Sequence, residues 1–122
     1  MDKSNYSCAI LTISDKGSRG ERLDTSGPQL QSQMTKAGFR VVDYTIVPDQ
    51  QQLIRETIIK WVDDEQIDLI VTTGGTGLSP SDRTPEATLP LLDLVIPGIP
   101  EAMRMVSYKK TVNAVLSRGV AG

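Results

Sequence analysis

An apolar run leads directly into a glycine-rich loop at residues 67–77, IDLIVTTGGTG. Ile67–Thr73 has the β-branched composition of a strand, and the glycines of Gly74–Gly77 allow backbone conformations that other residues avoid. Two upstream segments, Ser7–Ser14 and Phe39–Val47, are also rich in apolar or β-branched residues. We therefore predict three strands in a parallel sheet that helices cover on both faces.

The segments between these strands show helical spacing. Thr25 or Ser26 can cap a first helix, which holds Pro28 in its first turn and ends at Gly38. A second helix places five apolar residues on one face: Leu53, Ile54, Ile58, Trp61 and Val62. Strands that alternate with helices in this way pair in parallel through right-handed crossovers, which predicts an α/β fold with three αβα layers and a mostly parallel central sheet.

The rest of the chain gives weaker signals. Asp15–Asp24 reads as a loop, a short helix starts at Thr84–Glu86, and Pro97–Pro100 reads as a turn before a helix at Glu101–Tyr108. The side chains expected to face inward are Trp61, Met103 and Val106, with Met105 as a further candidate. The apolar residues of Leu89–Ile99 fit either a core or an exposed patch for a partner subunit.

Length and composition limit the classes of protein. The 122 residues, 39% hydrophobic and 23% charged, suit one globular domain over residues 1–122. The absence of histidine excludes Ser-His-Asp catalysis and His-ligated zinc, and the single Cys8 excludes a disulfide framework. A net charge of −2 argues against nucleic acid as a partner. We see no signal peptide or membrane span, and expect a reducing compartment.

Three polar or glycine-rich segments follow the predicted strands: Ser14–Lys16, Val47–Asp49 and Gly74–Gly77. The carboxyl ends of parallel strands lie along one edge of a sheet, where ligands bind. If the first strand lies between the other two, the crevice opens between the ends of the first and third strands.

The glycine loop is suited to a phosphate group. Three glycines allow close backbone approach, and successive N–H groups can form an anion nest to which Thr76 adds a hydroxyl. The loop is neither a P-loop nor a dinucleotide fingerprint, because the lysine of the first and the third glycine of the second are missing. A tight strand-to-loop turn is the alternative interpretation.

Asp49 and Asp82 are the candidate carboxylates beside this loop. Two carboxylates next to a phosphate cradle provide the oxygen ligands that Mg²⁺ prefers. Asp15 is a third candidate, and Lys16 could pair with a phosphate. The alternatives are a helix N-cap for Asp49, a turn residue or a salt bridge to Arg83 for Asp82, and a solvated surface lysine for Lys16.

The sixteen residues from Thr72 to Ala87, TTGGTGLSPSDRTPEA, resemble the central motif of the molybdenum-cofactor biosynthesis proteins of the MogA/MoaB type. Related domains in competence/damage-inducible proteins and molybdate-inserting enzymes share the glycine loop but not the continuation after it. The resemblance covers nearly the whole chain in order and spacing. It includes these further segments: Ile13–Asp15, Asp24–Gly27, Val47–Asp49, Pro97–Gly98, Glu101 and Leu116–Arg118.

The resemblance implies a molybdopterin adenylyltransferase, which transfers AMP from ATP to the terminal phosphate of molybdopterin and releases pyrophosphate with Mg²⁺. It also implies a cytoplasmic homotrimer. Asp49 and Asp82 would be the catalytic and metal-binding carboxylates. The implied contacts to substrate and nucleotide are Ser14, Asp15, Thr73, Gly74, Gly75, Thr76, Gly77, Glu101 and Ser107. Adenylyl transfer depends on positioning and charge neutralisation, so a site without histidine suffices.

Two alternatives remain open from the sequence: a molybdopterin-binding module without turnover, and an unrelated phosphate-binding domain or oligomeric scaffold. Proteins of the resembled family continue for some tens of residues, with a further strand, an Asn-Leu-Pro-Gly-type turn and a last helix. We therefore expect the sequence to be C-terminally truncated and its third strand to form an edge of the sheet.

Overall fold

The central sheet has three parallel strands in the order β2-β1-β3. The computed structural model that shows this describes residues 5–122. The strands are β1 (Ser7–Ile13), β2 (Arg40–Val47) and β3 (Leu69–Thr73). The predicted α/β fold with a parallel sheet is confirmed, and β1 is central, as the expected crevice requires. Among the described residues β3 pairs only with β1, so it forms an edge.

The part of the chain that the structure describes has five α-helices. They are α1 (Asp15–Ser18), α2 (Ser26–Lys36), α3 (Gln51–Ile59), α4 (Thr84–Thr88) and α5 (Gly98–Tyr108). A wider π turn, Lys60–Asp64, continues α3, and 3-10 turns occupy Leu89–Leu91 and Val112–Leu116. No helix in residues 5–122 is long and apolar enough to cross a membrane.

The core lies between the sheet and helix α3. All seven residues of β1 are buried, because both faces of this central strand are covered. The buried cluster joins alternate residues of β1 to the end of β2, to α3 with its π turn, to the connection before β3 and to α4: Ala9, Leu11, Ile13, Val47, Ile54, Ile58, Trp61, Ile67 and Ala87. Helix α2 contacts β1 and β2 separately from this cluster. Trp61 is 2% exposed, which confirms it as a core anchor, and its indole N–H donates to Asp43 at 3.1 Å.

Two predictions for the segment after β1 were wrong. The predicted loop Asp15–Asp24 begins with α1, because the Ser14 hydroxyl accepts the Gly17 N–H at 3.0 Å and caps a helical turn. Helix α2 has no side-chain cap from Thr25. Instead, the Asp24 carboxylate accepts the Gly27 N–H at 3.2 Å, one residue earlier than expected.

The second half of the chain also departs from the predictions. Helix α5 begins at Gly98 rather than after a turn, because Pro100 lies in its first turn, where no N–H is required. Val62 is 48% exposed, because the wider π turn rotates it away from the face of Ile54 and Ile58.

The apolar side chains of α5 were predicted inward and are exposed. Met103, Met105 and Val106 are 62–68% exposed, since α5 packs mainly against the following 3-10 turn. In the preceding segment the large apolar side chains that are exposed include Leu89, Leu94, Val95, Ile96 and Ile99. The structure therefore favours an exposed patch over a core for most of Leu89–Ile99, although Leu91 packs against the core.

Candidate functional site

The carboxyl ends of β1 and β2 are joined by a side chain. The backbone N–H of Asp49, which follows β2, donates to Asp15 Oδ1 at 2.8 Å. The backbone N–H of Ser14 donates to the Val47 carbonyl, also at 2.8 Å. The predicted convergence of these two strand ends is therefore present in the structure.

The glycine loop after β3 is held in a conformation that requires glycine. Gly74 has φ +100° and Gly75 has φ +68°. A Cβ at Gly74 would lie 2.1 Å from the Ile13 carbonyl oxygen, so the loop packs directly on the end of β1. The Thr84 hydroxyl donates to the Gly74 carbonyl at 2.8 Å, and the Thr84 N–H donates to the Gly75 carbonyl at 3.1 Å. The start of α4 thus fixes the shape of the loop.

Asp49 places a buried carboxylate oxygen against this loop. A Cβ at Gly75 would lie 2.9 Å from Asp49 Oδ1. That oxygen has no hydrogen-bond partner among residues 5–122, although it is buried. Burial raises the pKa of Asp49, and the negative charges of Asp15 and Asp82 raise it further. The predicted alternative as an N-cap is wrong, because Gln50 occupies the cap position of α3.

Asp82 lies at the other end of the glycine loop. Its Oδ2 would be 2.7 Å from a Cβ at Gly77, and it accepts the Ser79 N–H at 3.0 Å. The predicted turn role for Asp82 is therefore present, and it is compatible with a functional one. The alternative salt bridge to Arg83 is not formed, since the Arg83 Nε–H donates to the Pro80 carbonyl at 3.2 Å.

The carboxylate oxygens at this site fit one cation whose remaining ligands come from a bound molecule. The described part of the chain has no group of three or more His, Cys, Asp or Glu side chains able to hold a metal ion. Asp49 nevertheless presents a buried oxygen without a partner, and the Asp82 carboxylate is near enough to raise its pKa. Two carboxylates of this kind suit Mg²⁺ that also binds phosphate oxygens.

Two cavities meet at the end of β3. The smaller, of about 250 Å³, is lined by Thr12, Ser14, Gly17, Arg22, Leu23, Asp24, Thr25, Ser26, Thr73 and Gly74. The larger, of about 400 Å³, is bordered by the glycine loop, α4, α5 and the segment 111–120, and its lining includes Thr73, Gly74, Thr76 and Ser107. Thr73 and Gly74 belong to both cavities. Four of the nine predicted contact residues therefore line the larger cavity, and Ser14 lines the smaller.

The remaining predicted residues lie outside the linings of these cavities. Glu101 is an exposed residue in the first turn of α5. Asp15, Gly75 and Gly77 belong with Asp49 and Asp82 to the polar cluster at the strand ends. Lys16 is exposed on α1, as its alternative role as a surface lysine predicts.

Asp24 belongs to a half-buried hydrogen-bond network that no sequence signal indicated. The Thr12 hydroxyl donates to Asp24 Oδ2 at 2.8 Å, and the Tyr44 hydroxyl donates to the same oxygen. Burial alone would raise the pKa of Asp24, but the hydrogen bonds from Tyr44, Thr12 and two backbone N–H groups outweigh it and lower the pKa. Burial and the neighbouring carboxylate raise the pKa of Tyr44 to about 12. Thr12 and Asp24 of this network line the smaller cavity.

Arg118 is a second residue whose contacts no sequence signal indicated. Its Nε–H donates to the Gly77 carbonyl at 2.8 Å, and its Nη2 donates to the Asp82 carbonyl at 2.7 Å. The same guanidinium forms a salt bridge with Glu86 at 2.8 Å. The motif Leu116–Arg118 had marked this segment by resemblance, without a role for the arginine.

Comparison with known proteins places the chain in a family. The family model described as "Probable molybdopterin binding domain" matches residues 9–122. The chain is 42% identical to molybdenum cofactor biosynthesis protein B of Escherichia coli over 115 residues, which are 93% of this chain and 66% of the relative. It is also 42% identical to a molybdopterin adenylyltransferase of Helicobacter pylori, of which it covers 65%.

Solved structures agree with these relatives. A molybdopterin biosynthesis enzyme MoaB from Thermus thermophilus matches with a TM-score of 0.85 and 52% identity, over 96% of this chain and 74% of that one. A molybdopterin biosynthesis protein from Mycobacterium abscessus matches with a TM-score of 0.91 and 38% identity, over 96% and 73% of the two chains. The chain spans about two thirds of the length of the curated relatives.

Proposed function

The chain belongs to the family of probable molybdopterin-binding domains of molybdenum cofactor biosynthesis, and on this premise we propose that it is a molybdopterin adenylyltransferase. The reaction would transfer AMP from ATP to the terminal phosphate of molybdopterin and release pyrophosphate. The observation that carries the proposal is the buried Asp49 oxygen without a partner, set against Gly75 of the glycine loop.

The chemistry suits a site without a general base. The attacking phosphate of molybdopterin is already ionised, so the main barrier is its repulsion by the phosphates of ATP. Mg²⁺ would be held by Asp49 and Asp82 and, when bound, would neutralise part of that charge. The glycine loop would orient the phosphates through its backbone N–H groups, and the carboxylates would fix the site at the strand ends.

The two cavities support a reaction between two substrates. They share Thr73 and Gly74, so ligands in both would approach each other at the end of β3. Ser14 and Asp24 border the smaller cavity, and Thr76 and Ser107 border the larger one. We propose that ATP and molybdopterin occupy these cavities, with the α-phosphorus of ATP, which the terminal phosphate of molybdopterin would attack as pyrophosphate leaves, at their junction.

A molybdopterin-binding module without turnover is the second candidate. It is favoured by the absence of a three-residue metal cluster in residues 5–122, since a weakly held Mg²⁺ would limit catalysis but not pterin binding. The two candidates share the same cavities and differ only in the requirement for ATP.

A pyrophosphate assay separates the two functions. Purified protein, ATP, Mg²⁺ and molybdopterin are expected to release pyrophosphate at a rate that depends on all three additions. Calorimetry with molybdopterin alone provides the second measurement. Pterin binding without pyrophosphate release would favour the binding module. The absence of both pterin binding and pyrophosphate release would contradict both functions.

We also propose a cytoplasmic homotrimer as the working form. The exposed apolar side chains of α5 and its flanking segments, among them Leu94, Met103 and Val106, support a subunit contact. Light scattering is expected to give three times the chain mass. A monomer at micromolar concentration would contradict the trimer.

A further inference from the structure

Arg118 connects the segment near residue 118 to three parts of the candidate site. Its side chain donates to the carbonyls of Gly77 and Asp82 and forms a two-oxygen contact with Glu86 of α4. Its own backbone N–H donates to the Thr76 carbonyl at 2.8 Å. One residue therefore binds both ends of the 77–82 segment and the helix that follows it.

The same segment is held from its other side by α5. Arg104 Nη1 donates to the carbonyls of Ser117 and Gly119, each at 3.2 Å. Ser117, Gly119 and Arg104 all line the larger cavity, whereas the Arg118 side chain contacts the glycine loop. The cavity wall at 117–119 and the Asp82 loop are thus parts of one hydrogen-bonded unit.

We propose that Arg118 is a positioning residue, which sets the placement of Asp82 and the glycine loop relative to the larger cavity through its contacts with the Gly77 and Asp82 carbonyls. This inference rests on the proposed function at the same site. The guanidinium provides several donors in a fixed plane, so it bonds both carbonyls and the carboxylate simultaneously. A lysine ammonium provides the charge without that geometry.

A positioning role and a purely electrostatic role of Arg118 predict different results for substitution by lysine. If only the positive charge near Asp82 mattered, the Arg118→Lys variant would keep the wild-type activity. If the planar set of guanidinium donors matters, Arg118→Lys would lose nearly as much activity as Arg118→Gln. A displaced loop would impair the reacting geometry more than ground-state binding, so kcat would fall more than KM rises.

The test compares Arg118→Gln and Arg118→Lys with Arg55→Gln. Arg55 lies on α3, where its Nη1 donates to Gln51 Oε1 one turn away, so its substitution removes one positive charge without removing a hydrogen bond to the glycine loop. We expect kcat for pyrophosphate release to fall at least about tenfold in both Arg118 variants, with KM for ATP within about threefold and no rescue by lysine. Hydrogen exchange is expected to rise in residues 74–83 but not in β1. Arg55→Gln should resemble the wild type.

Unchanged exchange in residues 74–83, unchanged kcat or full rescue by lysine would overturn the positioning role. If the wild type releases no pyrophosphate, the proposed function fails, and hydrogen exchange then decides the inference. In that case exchange in residues 74–83 must rise in both Arg118 variants, without rescue by lysine, and must stay at the wild-type level in Arg55→Gln. Unchanged exchange in either Arg118 variant would overturn the inference.

Discussion

Asp49 and Gly75 are in direct contact across the edge of the sheet: a Cβ on Gly75 would lie 2.9 Å from Asp49 Oδ1. The two residues come from different strand ends, β2 and β3, and β1 lies between those strands. Their contact shows that the three strand ends converge at one place. A carboxylate oxygen that is buried there without a partner destabilises the folded protein, which is characteristic of a ligand-binding site.

Gly75→Ala is expected to destabilise the protein more than Gly20→Ala. Both glycines have positive φ, +68° and +74°, so the backbone cost of about 1–2 kcal/mol is shared. A Cβ at Gly75 would also lie 2.2 Å from Thr84 Oγ1, whereas a Cβ at Gly20 has no neighbour within 4 Å. We expect a further loss of about 1–3 kcal/mol at Gly75 in urea unfolding. Equal losses would show that the loop relaxes freely.

Asp49→Asn is expected to stabilise the protein at neutral pH in the presence of EDTA. The pKa of Asp49 is raised in the folded state by burial first and then by Asp15 and Asp82. The folded state therefore holds this proton more tightly than the unfolded state does, and wild-type stability falls as pH rises through the window above the ordinary pKa of 3.8.

The asparagine variant lacks that loss, so its advantage over wild type should grow as the pH rises from acid through and above the ordinary carboxyl pKa of 3.8. Thermal unfolding across this range measures the difference. An advantage that is the same at all pH values would show that the effect does not arise from the titration of Asp49. Asp64→Asn, an exposed carboxylate at the end of the π turn, is the control and should show little change.

Tyr44→Phe is expected to cost about 1 kcal/mol of stability at pH 7, because it removes a hydrogen bond to the charged, half-buried Asp24. The raised pKa of Tyr44, about 12, means that the contribution is complete below pH 10 and is lost as pH rises through 12. Ultraviolet titration should therefore show one phenol that ionises near pH 12 in the wild type and not in the variant. Tyr6→Phe, at a 43% exposed position, is the control.

Much of this architecture followed from short-range patterns. Apolar runs gave all three strands, and the positions of glycine and aspartate after them indicated the rim where Asp15, Asp49 and Gly75 meet. Strand ends are predictable in this way because parallel pairing fixes their common edge. Ser107 is predicted at the site by family resemblance alone, since nothing in the sequence around it distinguishes it from other serines.

The errors have physical causes that a local pattern does not contain. The inward prediction for Met103 and Val106 assumed that an apolar face of a helix packs within its own chain. The contacts of Arg118 join residues 32–41 positions apart, to carbonyls as well as a carboxylate, so neither spacing nor composition reveals them. The predicted helix at Glu101–Tyr108 starts three residues later than α5, because Pro97 and Pro100 are typical of a turn.

Asp82→Ala is expected to remove most activity while leaving the fold nearly intact. The substitution loses the hydrogen bond from the Ser79 N–H in a largely exposed loop, a cost of about 1 kcal/mol or less. Pyrophosphate release should fall about 100-fold, because one of the two Mg²⁺ ligands is lost. Asp64→Ala should leave it unchanged, and turnover by Asp82→Ala at the wild-type rate would show that Asp82 has no part in the reaction.

A crystal structure of the protein with ATP and Mn²⁺ as the probe for Mg²⁺ is the most direct test of the site. We expect the phosphates against Gly74–Gly77 and an anomalous peak for Mn²⁺ between Asp49 and Asp82. Nucleotide bound at another surface, or Mn²⁺ bound away from both carboxylates, would contradict it.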